Sequence, residues 1–276
     1  MRAGLVQLTV SDDPAENLPE TLALIDAAAR GGAGFVLTPE CTNALSSNRA
    51  RQKDLLQPEA SDPTLAALRE AAAKSGIWLL IGSLGLKTGD EDGRFANRSF
   101  LITPTGEIAA RYDKIHMFDV NVSETEIYRE SAAYRPGTRA VLAETPFARI
   151  GMTVCYDLRF PHLYRRLAQA GAEVITVPAA FNHITGLAHW EVLLRARAIE
   201  TGCYVLAPAL TGFHPEQGGK GRRTHGHSLV IAPWGEVLSD AGSEPGVTFA
   251  EIDLAQVAQA RHRVPSLVHD RDFTGP

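Results

Sequence analysis

The chain has 276 residues, 45% of them hydrophobic, and its 27 Lys and Arg against 32 Asp and Glu leave a net charge of −5. That length and apolar content can bury a large core, whereas mild acidity without a long basic run argues against a nucleic-acid or anionic-membrane surface. Cys41, Cys155 and Cys203 are odd in number and far apart, which speaks for a reducing cytoplasm and against a disulfide framework or a paired-cysteine zinc site. No apolar stretch approaches the roughly eighteen residues of a membrane span. The first ten residues alternate like a strand and meet Asp12-Asp13-Pro14 at once, so no secretory leader is expected.

Strand and helix signals then alternate. Gly4 to Val10 reads as a strand, and Asp12 or Asp13 can cap a helix begun by Pro14 and carried by Leu18, Leu22, Ile25 and Ala29 to Gly31-Gly32. Gly34 to Leu37 is a second strand that stops at Thr38-Pro39-Glu40. Asp62-Pro63 opens a helix through Leu65, Leu68 and Ala72 that Gly76 closes, and Ile77 to Ile81 is a third strand. Phe95 to Ile102 and Ile108 to Tyr112 form a hairpin about Thr103-Pro104-Thr105-Gly106. Phe147 to Val154 is a buried strand, followed after Pro161 by a helix over His162 to Ala170 that Gly171 ends. Val174 to Val177 (strand), Ala188 to Glu200 (helix) and Tyr204 to Ala207 (strand) come next. His225 to Ala232 and Val237 to Leu238 flank Pro233-Trp234-Gly235-Glu236 as a second hairpin, and Thr248 to Ile252 is the last strand, before a short helix from Asp253. Asn121 to Gly137 and Phe213 to Arg223 are the longest stretches without regular structure, where sites often lie.

The order is β-α-β-α-β and hairpin, twice over, with one further strand. Two sheets that each need cover on both faces are most simply stacked on one another with helices outside, a four-layer α-β-β-α sandwich in one domain over residues 1–276. A single doubly wound sheet is the competing arrangement. Three reactive groups fall at predicted strand ends: Glu40 after Phe35-Val36-Leu37, Lys114 after Arg111-Tyr112, and Cys155 where a strand turns toward a helix. Ligands gather at the carboxyl ends of strands in such folds, so the three can converge. Each also has an ordinary reading, as a solvated carboxylate, a surface ammonium and a buried thiol.

Leu37-Thr38-Pro39-Glu40, Tyr112 to Asp119 and Val154-Cys155-Tyr156-Asp157-Leu158-Arg159-Phe160-Pro161 resemble the three signature segments of the nitrilase superfamily of carbon–nitrogen hydrolases. Tyr128 to Ser131, Ala188 to Glu200 and Gly226 to Val230 resemble its Nit-type amidases, among which are omega-amidases and deaminated glutathione amidases. The resemblance spans nearly the whole chain and implies the α-β-β-α fold, usually dimerised, with no metal and no cofactor. It implies Cys155 as nucleophile, Glu40 as general base, Lys114 as the cation that meets the oxyanion, and Glu130 as a second glutamate beside them. Phe181 and Asn182 carry over to the substrate side. The chain departs from the branch at Asn182-His183, where threonine is common, and at Leu210, where glutamine is expected beside the substrate.

The chemistry is consistent with those roles. An unactivated amide needs a strong sulfur nucleophile, a carboxylate to move its proton, and fixed positive potential for the oxyanion. Lys114 and the Tyr156 N–H, next after the nucleophile, can supply that potential. Arg159 can hold a substrate carboxylate in its planar fork or pair internally with Asp157 or a glutamate. His225-Gly226-His227 reads as core or interface histidine. The expected function is hydrolysis of a small carboxylate-bearing amide with release of ammonia. Nitrile or N-carbamoyl hydrolysis, Cys–His chemistry of the papain kind, and a silent thiol scaffold are the alternatives.

Overall fold

The structure is a computed structural model that describes residues 1–124 and 126–275. Its strands are β1 (Arg2–Gln7), β2 (Phe35–Leu37), β3 (Trp78–Lys87), β4 (Phe95–Ile102), β5 (Ile108–Asp113), β6 (Asp119–Asn121), β7 (Ile127–Arg129) and β8 (Val141–Glu144). Then come β9 (Arg149–Met152), β10 (Val174–Thr176), β11 (Tyr204–Ala207), β12 (Thr211–His214), β13 (Arg222–His225), β14 (Leu229–Ile231), β15 (Val237–Asp240) and β16 (Gly246–Glu251). The helices are α1 (Pro14–Arg30), α2 (Arg49–Leu55), α3 (Pro63–Ser75), α4 (Pro161–Gln169), α5 (His183–Thr201) and α6 (Ala255–Arg263).

Two six-stranded sheets carry the fold, in the orders β16-β1-β2-β3-β4-β5 and β15-β14-β11-β10-β9-β8. Each repeats one plan: three parallel strands joined by helices, a hairpin beyond the third, and an antiparallel strand beside the first. The strands are apolar throughout because both faces are covered. Val6, Val36, Leu79 and Ile81 of the first sheet face Ile25, Leu65 and Leu68 of α1 and α3. Their neighbours Leu5, Phe35, Leu37 and Leu80 point the other way, into one cluster with Ile150, Met152 and Val174 of the second sheet. Phe147 seals the seam, its ring 5.5 Å from Phe35 and 5.9 Å from Trp78. Leu163 and Leu167 of α4 and Trp190 and Leu194 of α5 cover the outer side of the second sheet. The result is the four-layer α-β-β-α sandwich, and each leucine fully buried in it contributes roughly 1.5–3 kcal/mol.

Local chemistry sets the element ends. The Asp13 and Asp62 carboxylates accept from Ala15 N (2.9 Å) and Leu65 N (2.7 Å). Helix α5 starts at His183, ahead of the expected Ala188, because Asn182 Oδ1 caps it through Thr185 N at 3.1 Å. Each segment expected to be irregular overlaps a two-stranded ribbon, β6–β7 and β12–β13. β3 runs on to Lys87 through an irregularity between Ile81 and Leu84. Gly82 sits there, and a Cβ on it would lie 2.1 Å from Thr38 O, 2.3 Å from Pro39 O and 2.5 Å from Pro178 Cβ. Only glycine lets the chain before Glu40 approach the loop after β10. Leu210, expected beside substrate, is instead fully buried in the cluster under α1 and α3.

The last strand closes the first sheet. β16 lies antiparallel to β1, from Arg2 opposite Glu251 to Gln7 opposite Gly246. The buried Gln7 amide donates to Gly242 O and Glu244 O, and its oxygen accepts from Ser228 N and Ser228 Oγ, so every polar atom of that side chain is satisfied.

Candidate active site

Three chain segments deliver the reactive side chains to one point between the sheets. Glu40 follows the carboxyl end of β2, Lys114 directly follows β5, and Cys155 follows the carboxyl end of β9. All three are buried, with 3%, 2% and 6% of their surface exposed. The Lys114 ammonium donates to Glu40 Oε1 at 2.9 Å and to Glu130 Oε1 and Oε2 at 3.0 and 2.8 Å. Glu130 Oε2 also accepts from Phe118 N at 2.6 Å. The remaining Glu40 oxygen accepts from Ala180 N at 2.8 Å, and the Cys155 thiol is a hydrogen-bond partner of the same carboxylate.

The electrostatics follow from that packing. Burial alone would raise the Glu40 pKa, but the adjacent Lys114 charge, with hydrogen bonds from Lys114, Cys155 and Ala180, holds it below the usual carboxylate value. Burial would likewise discharge Lys114, yet Glu130 and Glu40 keep its pKa well above that of a free lysine. Burial, and then the Glu40 charge, push the Cys155 thiol well up. The resting site is therefore a neutral thiol beside an ionised carboxylate and an ammonium.

Cys155 opens a short 3₁₀ turn, Cys155–Arg159, that leads into α4. Its φ is +47°, in the left-handed region that a non-glycine residue enters at a cost and that functional turns exploit. Two anchors hold it: Cys155 N donates to Pro178 O at 2.9 Å, and Val154 N donates to Asp157 Oδ2 at 2.9 Å. The fully buried Asp157 also accepts from Tyr112 Oη at 2.7 Å and His116 N at 3.0 Å, while His116 Nδ1 lies 2.6 Å from it. It ties the cysteine turn to the segment carrying Lys114. The Tyr156 N–H meets no acceptor among the described residues.

These groups line a cavity of about 230 Å³. Tyr156, Phe181 and Asn182 are on its wall, as the sequence suggests, and Tyr128 and Arg222 join them. Arg159 is not on the wall. Its Nη2 lies 3.3 Å from His189 Nδ1 and its guanidinium is 5.4 Å from the Phe181 ring centroid. The alternative ion pair with Asp157 or a glutamate is not formed either among the described residues, since Asp157 is engaged as described. His225 stacks on His227 and burial holds it neutral, with a pKa pushed down to about 4.

Sequence reasoning missed Asn97. From β4 it donates to Glu40 Oε1 (2.9 Å) and Glu130 Oε1 (3.2 Å), bridging the two carboxylates. The available signal is an amide in the otherwise apolar run Phe95-Ala96-Asn97. Arg222 was missed too, although it lies in Phe213 to Arg223, one of the stretches without regular structure where sites often lie.

With the geometry in hand, the chain compares with known proteins as follows. The sequence profile described as carbon-nitrogen hydrolase matches residues 2–262. A deaminated glutathione amidase of Synechocystis sp. is 42% identical over 269 residues, covering 97% of each chain. The crystal structure of the Caenorhabditis elegans NitFhit protein superposes with a TM-score of 0.90 at 36% identity, over 98% of this chain and 65% of that one. Saccharomyces cerevisiae Nit3, described as a member of branch 10 of the nitrilase superfamily, gives a TM-score of 0.85 at 27% identity over 99% and 97% of the two chains.

Proposed function

As the chain belongs to the carbon–nitrogen hydrolase family, and is an enzyme that hydrolyses an amide C–N bond, we propose that its substrate is a small carboxylate-bearing amide: deaminated glutathione or a 2-oxo-acid omega-amide. The observation that carries the reading is the contact of one carboxylate, Glu40, with both the Cys155 thiol and the Lys114 ammonium on the cavity wall.

In this reading Glu40 takes the thiol proton as sulfur attacks the amide carbonyl, so the thiolate forms only when it is used. The oxyanion meets the Lys114 ammonium and the Tyr156 N–H. Glu40 then protonates the departing nitrogen, the C–N bond breaks, and a thioester remains on Cys155. Water, deprotonated by Glu40, attacks the thioester and releases the acid with the thiol restored. Glu130 holds Lys114 charged and pointed at the carbonyl, and Asn97 keeps the two carboxylates in register. The leaving group depends on the substrate. A primary omega-amide gives ammonia, whereas the amides of deaminated glutathione are secondary and give an amine, so ammonia release is not a general signature.

The test compares kcat/KM for a free-carboxylate amide and its methyl ester. A loss of about tenfold or more on esterification, about 1.4 kcal/mol, is the expected result. Equal rates, or better rates with a neutral nitrile, overturn the substrate class, and carbon dioxide among the products marks N-carbamoyl hydrolysis instead.

We further propose a homodimer in the cytoplasm. Along α5, Ile184, Leu187, Val192 and Ile199 are 50%, 71%, 67% and 56% exposed, more apolar surface than one helix normally leaves to water. Trp190 and Leu194 of the same helix belong to the core, and the four exposed residues form the contact surface. All three cysteines are free, as suits a reducing compartment. Sedimentation at micromolar concentration should give twice the chain mass, and a species of single-chain mass would remove the dimer.

A further inference from the structure

Three cations line the cavity: Lys114, Arg129 and Arg222. Lys114 is held by Glu40 and Glu130 and, in the proposed reaction, serves the oxyanion. Arg129 is turned to its own ribbon, donating to Val120 O, Tyr128 O and Asn121 Oδ1. Arg222 differs. Its Nη2 donates to Ala180 O at 2.6 Å and its guanidinium stands 5.3 Å from the Tyr128 ring centroid, yet its Nε is buried with no acceptor among the described residues. A buried N–H of a charged group without a protein acceptor is costly and rare, and it marks a place where an acceptor from outside the chain, a water or a ligand, can bind.

The placement of Arg222 is built by the fold. It opens β13, which is clamped by the antiparallel register with β12 and by His225 N donating to Phe181 O at 3.0 Å. The carbonyl it grips belongs to Ala180, whose N–H holds Glu40 at 2.8 Å, so the guanidinium is fixed one residue away from the group that contacts the thiol. Without it the cavity would set Glu40 and Glu130 against Lys114, which both of them already hold, and Arg129, which is turned to its own ribbon, leaving no cation aimed at an anion.

We infer that Arg222 is the carboxylate-binding residue of this pocket, taking a substrate carboxylate on Nε–H and the free hydrogens of the same guanidinium edge while Nη2 keeps its bond to Ala180 O. The inference rests on the proposed function and deepens it, assigning the substrate's charge to a guanidinium that is distinct from Arg159. A planar fork meeting a carboxylate gives charge-assisted bonds about twice as strong as neutral ones, in one orientation. Binding there selects and orients the anion and leaves the chemical step to the other groups.

The experiment uses two pairs of isosteric amides, glutaramate against glutaramide and an N-acylglycine against its glycinamide, so that the charge lies on the acyl side or on the amine side. Arg222→Met is expected to erase the preference for the acid of at least one pair, about tenfold or more, through KM, while the neutral partner loses much less. Arg222→Lys should keep part of the preference, because it restores charge without the fork. If the preference survives Arg222→Met, or is lost only on Arg159→Met, the assignment is wrong. It is also wrong if Arg222→Met slows the neutral amides as much as the acids, since Arg222 would then serve only to hold Ala180 and Glu40. Calorimetric titration with glutarate and with N-acetylglycine reads the same residue without turnover: affinity for one of them should fall about tenfold in Arg222→Met, and unchanged affinity for both overturns the proposal. Should no amide be hydrolysed while that affinity loss is seen, the failure belongs to the proposed reaction and the anion site stands.

Discussion

Cys155→Ser is expected to fold with an unchanged melting temperature and to lose turnover by about a thousandfold or more. Sulfur and oxygen differ little in volume, and both anchors of the turn, Cys155 N to Pro178 O and Val154 N to Asp157 Oδ2, come from backbone that the change leaves alone. The chemistry is not preserved. Glu40 is held below the usual carboxylate pKa, with burial opposed by Lys114, which makes it a weak base. It can share the proton of a thiol, but an alcohol holds its proton several orders of magnitude more tightly. Steady-state rates together with intact-protein mass spectrometry decide the matter: wild type incubated with a slow substrate should gain the acyl mass and the serine variant should not. A serine variant that keeps a tenth of the wild-type rate would remove Cys155 as the nucleophile.

Lys114→Met is expected to cost about 10² or more in turnover per folded molecule, the usual size for loss of a preorganised oxyanion donor. Read from sequence as a strand-end cation, Lys114 promises little effect on stability. Its position between Glu40 and Glu130 changes that expectation. Removing a buried charge strands its partners and costs of the order of 3–5 kcal/mol, less whatever is recovered when a carboxylate takes up a proton. With Lys114 gone, the burial that already opposes ionisation of Glu40 is no longer offset, so its carboxyl should titrate higher and residual activity should move to higher pH. Denaturant melts give the folded fraction against which rates are normalised. Full turnover per folded molecule would make Lys114 purely a structural partner of the two glutamates.

The fold was legible wherever signals were local. Asp13, Asp62 and Gly76 cap helices where the sequence places them, and the apolar triplet Phe35-Val36-Leu37 announces a strand covered on both faces. Short elements without apolar periodicity were not legible. Helix α2, Arg-Ala-Arg-Gln-Lys-Asp-Leu, has no apolar stripe and stands on its Asn48 cap, whose Oδ1 accepts from Ala50 N and Arg51 N. The strands of the β6–β7 and β12–β13 ribbons are three or four residues long, too short to show an alternating pattern. Glu40, Lys114 and Cys155 stood out because each falls at a predicted strand end within a segment that resembles a nitrilase signature. Asn97 and Arg222 did not, because their significance lies in Glu40, Glu130 and Ala180, each dozens of residues away. The sequence pointed to Arg159 for the substrate's charge through its nearness to Cys155 along the chain, and the cavity wall offers Arg222 instead.

The pairing of β1 with β16 bears on how the molecule is made. Arg2 meets Glu251 and Gln7 meets Gly246, so one flank of β1 stays open until β16, the last strand of its sheet to be synthesised, has left the ribosome. A loop of that length closes slowly, and an unpaired apolar edge is a template for strands of other nascent chains. The other flank of β1 finds β2 some thirty residues on, in parallel, which leaves the vulnerable side reserved for a late arrival. Ribosome-bound intermediates are therefore candidates for chaperone capture at this edge, and the Gln7 amide, whose four partner atoms lie between Ser228 and Glu244, is satisfied only once that later stretch has been made.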